Sequence, residues 1–192
     1  MFRELLKQRI PGLRSEQLDR LESHFNLLLR WNRVINLTRI VEPVAVVERH
    51  YCESLFLAFS LPGVVEKVVD LGSGAGFPGV PVAVALEAVQ VTLVEANRRK
   101  AAFLKEATRG WPNVRVIWGR AEALEGGFQW AVSRAVRWEE IEAAAARVAA
   151  GAAVLGGAEC PGGRMFEWAP GLRVPWGERR FLYLGRKVSR GT

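Results

Sequence analysis

Apolar residues recur at steps of three and four through the first third of the chain. Leu18, Leu21, Phe25, Leu28 and Trp31 fall on one face of a helix, and Ser15 is placed to cap its N-terminus. A shorter helix before it carries Phe2, Leu5, Leu6 and Ile10 and is stopped by Pro11-Gly12. A third helix begins at Pro43, which a first helical turn tolerates. It turns Val44, Val47, Tyr51, Leu55 and Ala58 inward and ends at Leu61-Pro62-Gly63. The segment Trp31-Asn32-Arg33-Val34-Ile35-Asn36-Leu37-Thr38 suits a loop between the second and third helices.

From residue 64 the pattern changes. Short β-branched runs at 64–71, 89–95, 114–118, 128–133 and 152–155 predict strands, and helical patterns at 78–86, 97–109 and 138–150 alternate with them. Two further strands are expected around Trp176-Gly177, between Leu172 and Val188. Such alternation predicts an α/β fold with a parallel, doubly wound, Rossmann-like sheet. Residues 1–62 then form a helical extension and residues 63–192 one compact sheet domain.

Charge adds a partner class. The 27 Lys and Arg outnumber 20 Asp and Glu, for a net charge of +7. Five are Lys, which leaves 22 Arg, the side chain that forks onto phosphates and stacks on bases. This favours a polyanionic partner, with an Arg-rich solvated surface as the alternative. The excess is no tail: residues 1–62 hold 9 basic and 7 acidic side chains, 63–135 hold 9 and 7, and 136–192 hold 9 and 6. Cys52 and Cys160 are too far apart in sequence for a disulfide framework or a zinc site, so no metal is expected and a reduced, cytoplasmic compartment fits. Charges interrupt the first residues, which excludes a signal peptide. The uncharged stretch Leu71–Leu86 is broken by Gly and Pro, which excludes a membrane span.

The sharpest motif is Val68-Val69-Asp70-Leu71-Gly72-Ser73-Gly74-Ala75-Gly76-Phe77-Pro78-Gly79. It reads as strand, turn and helix, with glycines where the backbone turns sharply and a ligand approaches. Two patterns compete. Gly74-x-Gly76-x-x-Gly79 matches a dinucleotide fingerprint, and Asp70-x-Gly72-x-Gly74-x-Gly76 matches an S-adenosylmethionine loop. Asp70 would oppose a pyrophosphate but favour a cationic sulfonium, and Pro78 and Pro81 remove donors that a pyrophosphate wants. The methyltransferase reading is therefore preferred. Glu95 closes the next strand, 19 residues beyond Gly76, where an acid accepts ribose hydroxyls. Gly119-Arg120-Ala121-Glu122 follows the third strand, where such folds border the adenine.

The remaining residues narrow the chemistry. Ser133-Arg134-Ala135 ends the fourth strand without the Asn/Asp-Pro-Pro-aromatic motif of exocyclic-amine methylation. Cys160 lacks an activating base, Cys52 sits in a helix where burial is expected, and His24 and His50 lie on helices, where a packing or interface role is expected. A site without a general base suits a ring nitrogen such as guanine N7, which loses no proton on alkylation. Arg134 lies at the strand end where ligands bind and can position the base through O6 or a phosphate, a structural salt bridge being the alternative. Arg98, Arg99, Lys100 and Arg120 are candidate RNA contacts, with a solvated face as the alternative.

These motifs resemble the RsmG (GidB) family of bacterial 16S ribosomal RNA guanine-N7 methyltransferases. The resemblance rests on Trp31-Asn32-Arg33 with Asn36-Leu37-Thr38, Arg49-His50 with Glu53-Ser54, the loop Asp70–Gly79, and Lys100 with Phe103-Leu104. It implies an S-adenosylmethionine-dependent methyltransferase sheet with an N-terminal helical extension. It implies cofactor contacts at Gly72, Phe77, Ala121, Glu122 and Arg134, beside Asp70, Gly74, Gly76 and Glu95 of the loop reading. The implied substrate is a guanine in the decoding-region loop of 16S rRNA, free or in the 30S subunit, and the expected enzyme is a monomer. The chain departs from the family at Glu53, usually Asp, and at Gly156, usually Lys, and it shortens the segment before Leu172, where a helix is expected to be reduced or missing. Methyl transfer to another substrate, or RNA binding without catalysis, remain the alternatives.

Overall fold

The computed structural model describes residues 1–188. Eight strands make one sheet: β1 (Lys67–Leu71), β2 (Gln90–Glu95), β3 (Val114–Trp118), β4 (Phe128–Arg134), β5 (Ala149–Gly156), β6 (Phe166–Trp168), β7 (Leu172–Arg173) and β8 (Phe181–Lys187). Their order is β3-β2-β1-β4-β5-β8-β6, with β7 paired to β8 off that path. The first five are mutually parallel, as their crossover connections require.

The C-terminal strands make the sheet mixed. β8 runs antiparallel to β5, and β6 and β7 antiparallel to β8. Among the described residues no helix lies between Gly157 and Gly171, and β8 lies between β5 and β6, antiparallel to both, so β6 runs in the same direction as β5 without pairing with it. β6 is only three residues long, too short to show an alternation that would reveal it in the sequence.

Strand alternation sorts the core into two layers. Val68, Val91, Leu93, Trp130, Val132, Ala153, Leu155 and Leu182 face one side. There they meet α1 (Phe2–Arg9), α2 (Ser15–Asn32), α4 (Glu53–Ser60) and α5 (Gly79–Ala85) in a cluster running from Phe2 to Leu182. Phe103 and Leu104 of α6 (Arg98–Ala107) join it. Val69, Leu71, Val94, Ala131, Ala152 and Val154 face the other side, under α7 (Trp138–Val148). Ala145 and Ala146 let α7 lie close to the strands, and Trp138 packs edge-on against Phe166 and Trp168.

Two helix starts differ from expectation. The cap of α2 is Arg14 rather than Ser15, because the Gln17 side chain accepts the Arg14 backbone N–H at 3.0 Å. Gln17 also donates to the Val84 carbonyl at 3.0 Å and so ties α2 to α5. The third predicted helix is three pieces: α3 (Pro43–Val46), a π-helical turn (Val47–Cys52) and α4. Glu42 caps α3, accepting from Val44 N–H at 3.0 Å and Ala45 N–H at 2.6 Å. The wide turn shifts the helical face. Val47, Tyr51, Leu55 and Ala58 are buried as expected, whereas Val44 lies on the far side of the shift and is exposed.

Candidate active site

A cavity of about 930 Å³ opens at the carboxyl ends of β1, β2 and β4, where the strand order reverses. Its walls are the glycine loop from Gly72 to Phe77, Glu95, Lys100, Arg134 to Val136, His50, and a segment of the extension from Asn36 to Ile40. The extension therefore forms part of the site.

The loop has little to offer a phosphate. Gly72 and Ser73 donate their N–H groups to the Val94 carbonyl, both at 3.0 Å. Gly76 and Phe77 donate to the Ser73 carbonyl. Pro78 and Pro81 have no N–H, Gly79 N–H goes to Asp70 Oδ2 at 2.9 Å, and Val80 N–H goes to the Gly76 carbonyl at 2.8 Å. The start of α5 is thus closed to a pyrophosphate, which disfavours the dinucleotide pattern on geometry.

Asp70 is not where the sequence argument put it. It shares a face with Val68, points under α5, is completely buried and lies outside the cavity walls. Burial raises its pKa to about 7, against the opposing bond from Gly79. The acid in the cavity wall is Glu95. Its Oε2 accepts Gly74 N–H at 2.8 Å and its Oε1 accepts Asn97 N–H at 2.7 Å, and each oxygen keeps a lone pair for a ligand hydroxyl.

The Asp70 shift carries a stability signature. A folded-state pKa raised above the unfolded value of about 3.9 favours the fold fully below pH ~4, and this is lost progressively as pH rises toward 7. Burial lowers the pKa of His24 to about 4 and of His50 to about 3, which gives the opposite slope between those values and 6.5. Comparison with Asp70→Asn isolates the carboxyl group. The variant is expected to lack the decline, so its stability relative to the parent rises by up to ~4 kcal/mol between pH 4 and 7 in urea titrations. A parallel pair of profiles would rule this out.

Two histidines organise the walls. His24 Nδ1 accepts from the Tyr51 hydroxyl at 2.8 Å, and its Nε2 donates to the Ala75 carbonyl at 3.0 Å, which ties α2 to the loop. A Cβ on Gly76 would stand 3.1 Å from that Nε2, so Gly76 (φ +91°) faces the core and not the cavity. His50 lies on the π-helical turn, stacked on Phe77 with ring centres 4.5 Å apart. It accepts from Arg134 at Nδ1 (2.6 Å) and donates from Nε2 to Thr38 Oγ at 2.8 Å. Asn32 shapes the Thr38 segment: its Oδ1 accepts Leu37 and Thr38 N–H, both at 2.9 Å, and its Nδ2 donates to the Thr38 carbonyl at 3.1 Å. Burial lowers the Arg134 pKa to about 10, against the Glu53 carboxylate that raises it, so the side chain stays cationic at neutral pH.

The fold thus brings Gly72, Gly74, Phe77, Glu95 and Arg134 together, with Lys100 on the rim. Asp70 and Gly76 lie beneath the loop. Ala121 and Glu122 sit on a 3-10 turn (Ala121–Ala123) after β3, outside the cavity walls, and the Ala121 carbonyl accepts from Arg147 at 2.8 Å. Arg98, Arg99 and Arg120 are exposed, Arg98 lying over the Trp118 ring at 5.6 Å. His50 and the Asn36–Ile40 segment were not expected in the site. The available signal was the Asn32…Thr38 spacing, whose hydrogen bonds only the folded loop reveals. Among the described residues no group of three or more His, Cys, Asp or Glu is placed to hold a metal, and no helix is long and apolar enough to cross a membrane.

The model of the GidB family, described as rRNA small subunit methyltransferase G, matches residues 17–148. The chain belongs to that family. Among curated proteins named ribosomal RNA small subunit methyltransferase G, the one from Xylella fastidiosa (strain 9a5c) is 41% identical over 153 residues, covering 76% of this chain and 68% of its own length. The one from Nitrosomonas europaea is 45% identical over 121 residues, covering 61% and 56%. The match to the Xylella fastidiosa (strain M23) protein spans 58% of that relative's length. A SAM-dependent methyltransferase structure from Aquifex aeolicus aligns with TM-score 0.59 at 17% identity, over 80% of this chain and 97% of its own. A TehB-like SAM-dependent methyltransferase from Corynebacterium glutamicum aligns with TM-score 0.53 at 15% identity, over 86% and 98%. These likenesses establish the Rossmann-like methyltransferase fold. The match to the methyltransferase G family model takes in both the Asn32…Thr38 loop and the glycine loop, each of which contributes residues to the cavity walls.

Proposed function

We propose that this chain transfers a methyl group from S-adenosylmethionine to N7 of a guanine in the decoding-region loop of 16S rRNA. The observation that carries the reading is the cavity itself. Its rim holds a carboxylate with free lone pairs, the N–H groups of Gly72, Ser73, Gly74, Gly76 and Phe77 are bonded within the protein, and a buried cation stands at the end of β4. The carboxylate suits a cofactor with ribose hydroxyls, the closed start of α5 disfavours a pyrophosphate there, and the buried cation suits an electron-rich edge or phosphate of the substrate. The volume falls within the roughly 300–1,000 Å³ of small-molecule sites.

When bound, S-adenosylmethionine supplies an electrophilic methyl group, which guanine N7 takes with its own lone pair as the sulfur–carbon bond breaks and no proton leaves. The residues accordingly bind and align rather than exchange protons. Glu95 accepts the ribose hydroxyls. Gly72 and Gly74 give the loop its positive-φ turns and let the ligand approach. The wall of Phe77 stacked on His50 excludes water. Arg134 donates to the O6 edge or a phosphate of the target nucleotide. Lys100 and Arg39 line the cavity mouth toward the RNA, and Arg98, Arg99 and Arg120 extend that basic surface. The enzyme works as a cytoplasmic monomer, without metal, on free 16S rRNA or the 30S subunit.

Incubation with tritiated S-adenosylmethionine and 30S subunits, followed by nuclease mapping, tests this. Label is expected on N7 of one guanine, with activity falling steeply as salt rises because phosphate contacts release counterions. Label on an exocyclic amine or a ribose would replace the base assignment, and weak salt dependence would point to a substrate other than RNA.

A further inference from the structure

Behind the cavity wall, α4, β4 and the turn into β8 converge on one carboxylate. Glu53, the first residue of α4, is completely buried. Arg180 donates its Nε–H to Glu53 Oε1 at 3.1 Å and an Nη2 hydrogen to Oε2 at 2.9 Å. This fork engages both carboxylate oxygens and fixes the plane of the carboxylate, leaving one lone pair on each oxygen. Arg134 stands off: its Nε lies 3.7 Å from Glu53 Oε2, beyond hydrogen-bond distance, and that N–H is buried without a partner among the described residues. Its Nη1 donates to His50 Nδ1 instead, at 2.6 Å. Strand pairing explains how two arginines 46 positions apart in sequence come together. Arg134 is paired with Leu155, and Gly156 with Phe181, so the turn into β8 brings Arg180 to the same end of the sheet as Arg134, with β5 between them.

A buried carboxylate beside a single guanidinium would close onto it, because a desolvated pair is favourable only when fully hydrogen-bonded. Here Arg180 already fills that place. We infer that Arg180 and Glu53 are positioning residues for Arg134: the fork from Arg180 clamps the Glu53 carboxylate in an orientation that leaves Arg134 Nε 3.7 Å away, so Glu53 does not capture it and the Arg134 guanidinium stays turned to His50 and the cavity. What Arg134 then does rests on the methyl-transfer reading above. Where it points does not.

Four proteins test the role: the parent, Arg180→Ala, Glu53→Gln and the double variant. In a crystal structure of Arg180→Ala, Arg134 Nε is expected to move from 3.7 Å to hydrogen-bond distance of Glu53 and to release His50. Its kcat for methyl transfer to 30S subunits is expected to fall about tenfold or more, with KM for S-adenosylmethionine within about twofold of the parent. Adding Glu53→Gln removes the charge that captures Arg134, so the double variant is expected to recover activity over Arg180→Ala. A residue that merely braced the fold would give a double variant no better than the single one. That result, or an Arg134 still bound to His50 in Arg180→Ala, would overturn the assignment. Should the Ala variant not fold, Arg180→Lys serves in its place. Lysine is a point charge that cannot fork onto both oxygens, so the same contraction and a smaller loss are expected, and an unmoved Arg134 would again overturn it. A parent protein that transfers no methyl group to 30S would defeat the methyltransferase reading alone, since the position of Arg134 in the variant still decides the positioning.

Discussion

Glu95→Ala is expected to weaken S-adenosylmethionine binding by about 100-fold, the loss of two hydrogen bonds from ligand hydroxyls to a carboxylate at about 1.5 kcal/mol each. The residue does two things at once. Toward the protein, its carboxylate holds Gly74 N–H at 2.8 Å and Asn97 N–H at 2.7 Å, which sets the loop against the end of β2. Toward the cavity, the same oxygens present the acceptors for a ribose. Alanine removes both functions. Glu95→Gln is intermediate, because the amide keeps one acceptor for a loop N–H while its NH2 faces the other N–H and offers a ribose hydroxyl a donor in place of an acceptor. The Gln variant is therefore expected to unfold below the parent and above the Ala variant, and to lose about tenfold in affinity. Isothermal calorimetry with S-adenosylmethionine, alongside thermal unfolding, measures both. Parent-like affinity in both variants would mean that the ribose lies elsewhere and would undo the assignment of Glu95.

The roles of these two acids show how far the sequence reading reached. The position of Glu95 at the end of β2 followed from strand periodicity, and its place on the cavity rim followed from the fold class. Asp70 was read through a motif and assigned to the ligand, although the alternation of β1 carried the opposite message. Val68 and Asp70 share a face, Val68 belongs to the core beneath the helices, and an acid two residues on must lie there too. The motif marks the loop, and strand alternation places Asp70 beneath that loop rather than in the cavity walls. Other parts of the site were not legible in one dimension. His50 reaches the cavity from a π-helical turn, and no 3.6-residue periodicity reveals such a turn. Arg180 meets Glu53, 127 positions away, only because β8 runs antiparallel to β5. The Asn32…Thr38 segment was visible as a motif, but its purpose was not. Three side-chain hydrogen bonds from Asn32 fold it into a wall.

Gly79→Ala is expected to cost about 3 kcal/mol of folding stability and to lower the melting temperature by about 10 °C, through overpacking and the loss of a buried hydrogen bond. A Cβ built on Gly79 would run into the Leu93 side chain, and would lie 2.6 Å from Asp70 Oδ2 and 2.9 Å from Asp70 Cβ. Both neighbours are completely buried, so neither has space to withdraw. The start of α5 must move instead. That movement breaks the bond from Gly79 N–H to Asp70 and leaves a buried, raised-pKa carboxyl group without it. The glycine loop ends at the same turn, so affinity for S-adenosylmethionine is expected to fall with stability. Gly74→Ala is the control. Its Cβ would meet only the Gly72 carbonyl oxygen, at 3.8 Å, with φ at +56°. The expected cost there is about 1 kcal/mol for the left-handed backbone, while the added methyl group stands at the cavity wall. Calorimetry and thermal melts of the two variants should therefore separate, with Gly79→Ala losing stability and binding together and Gly74→Ala losing mainly binding. Equal melting temperatures for the two would show that α5 yields without strain, and that Asp70 is not what fixes the loop.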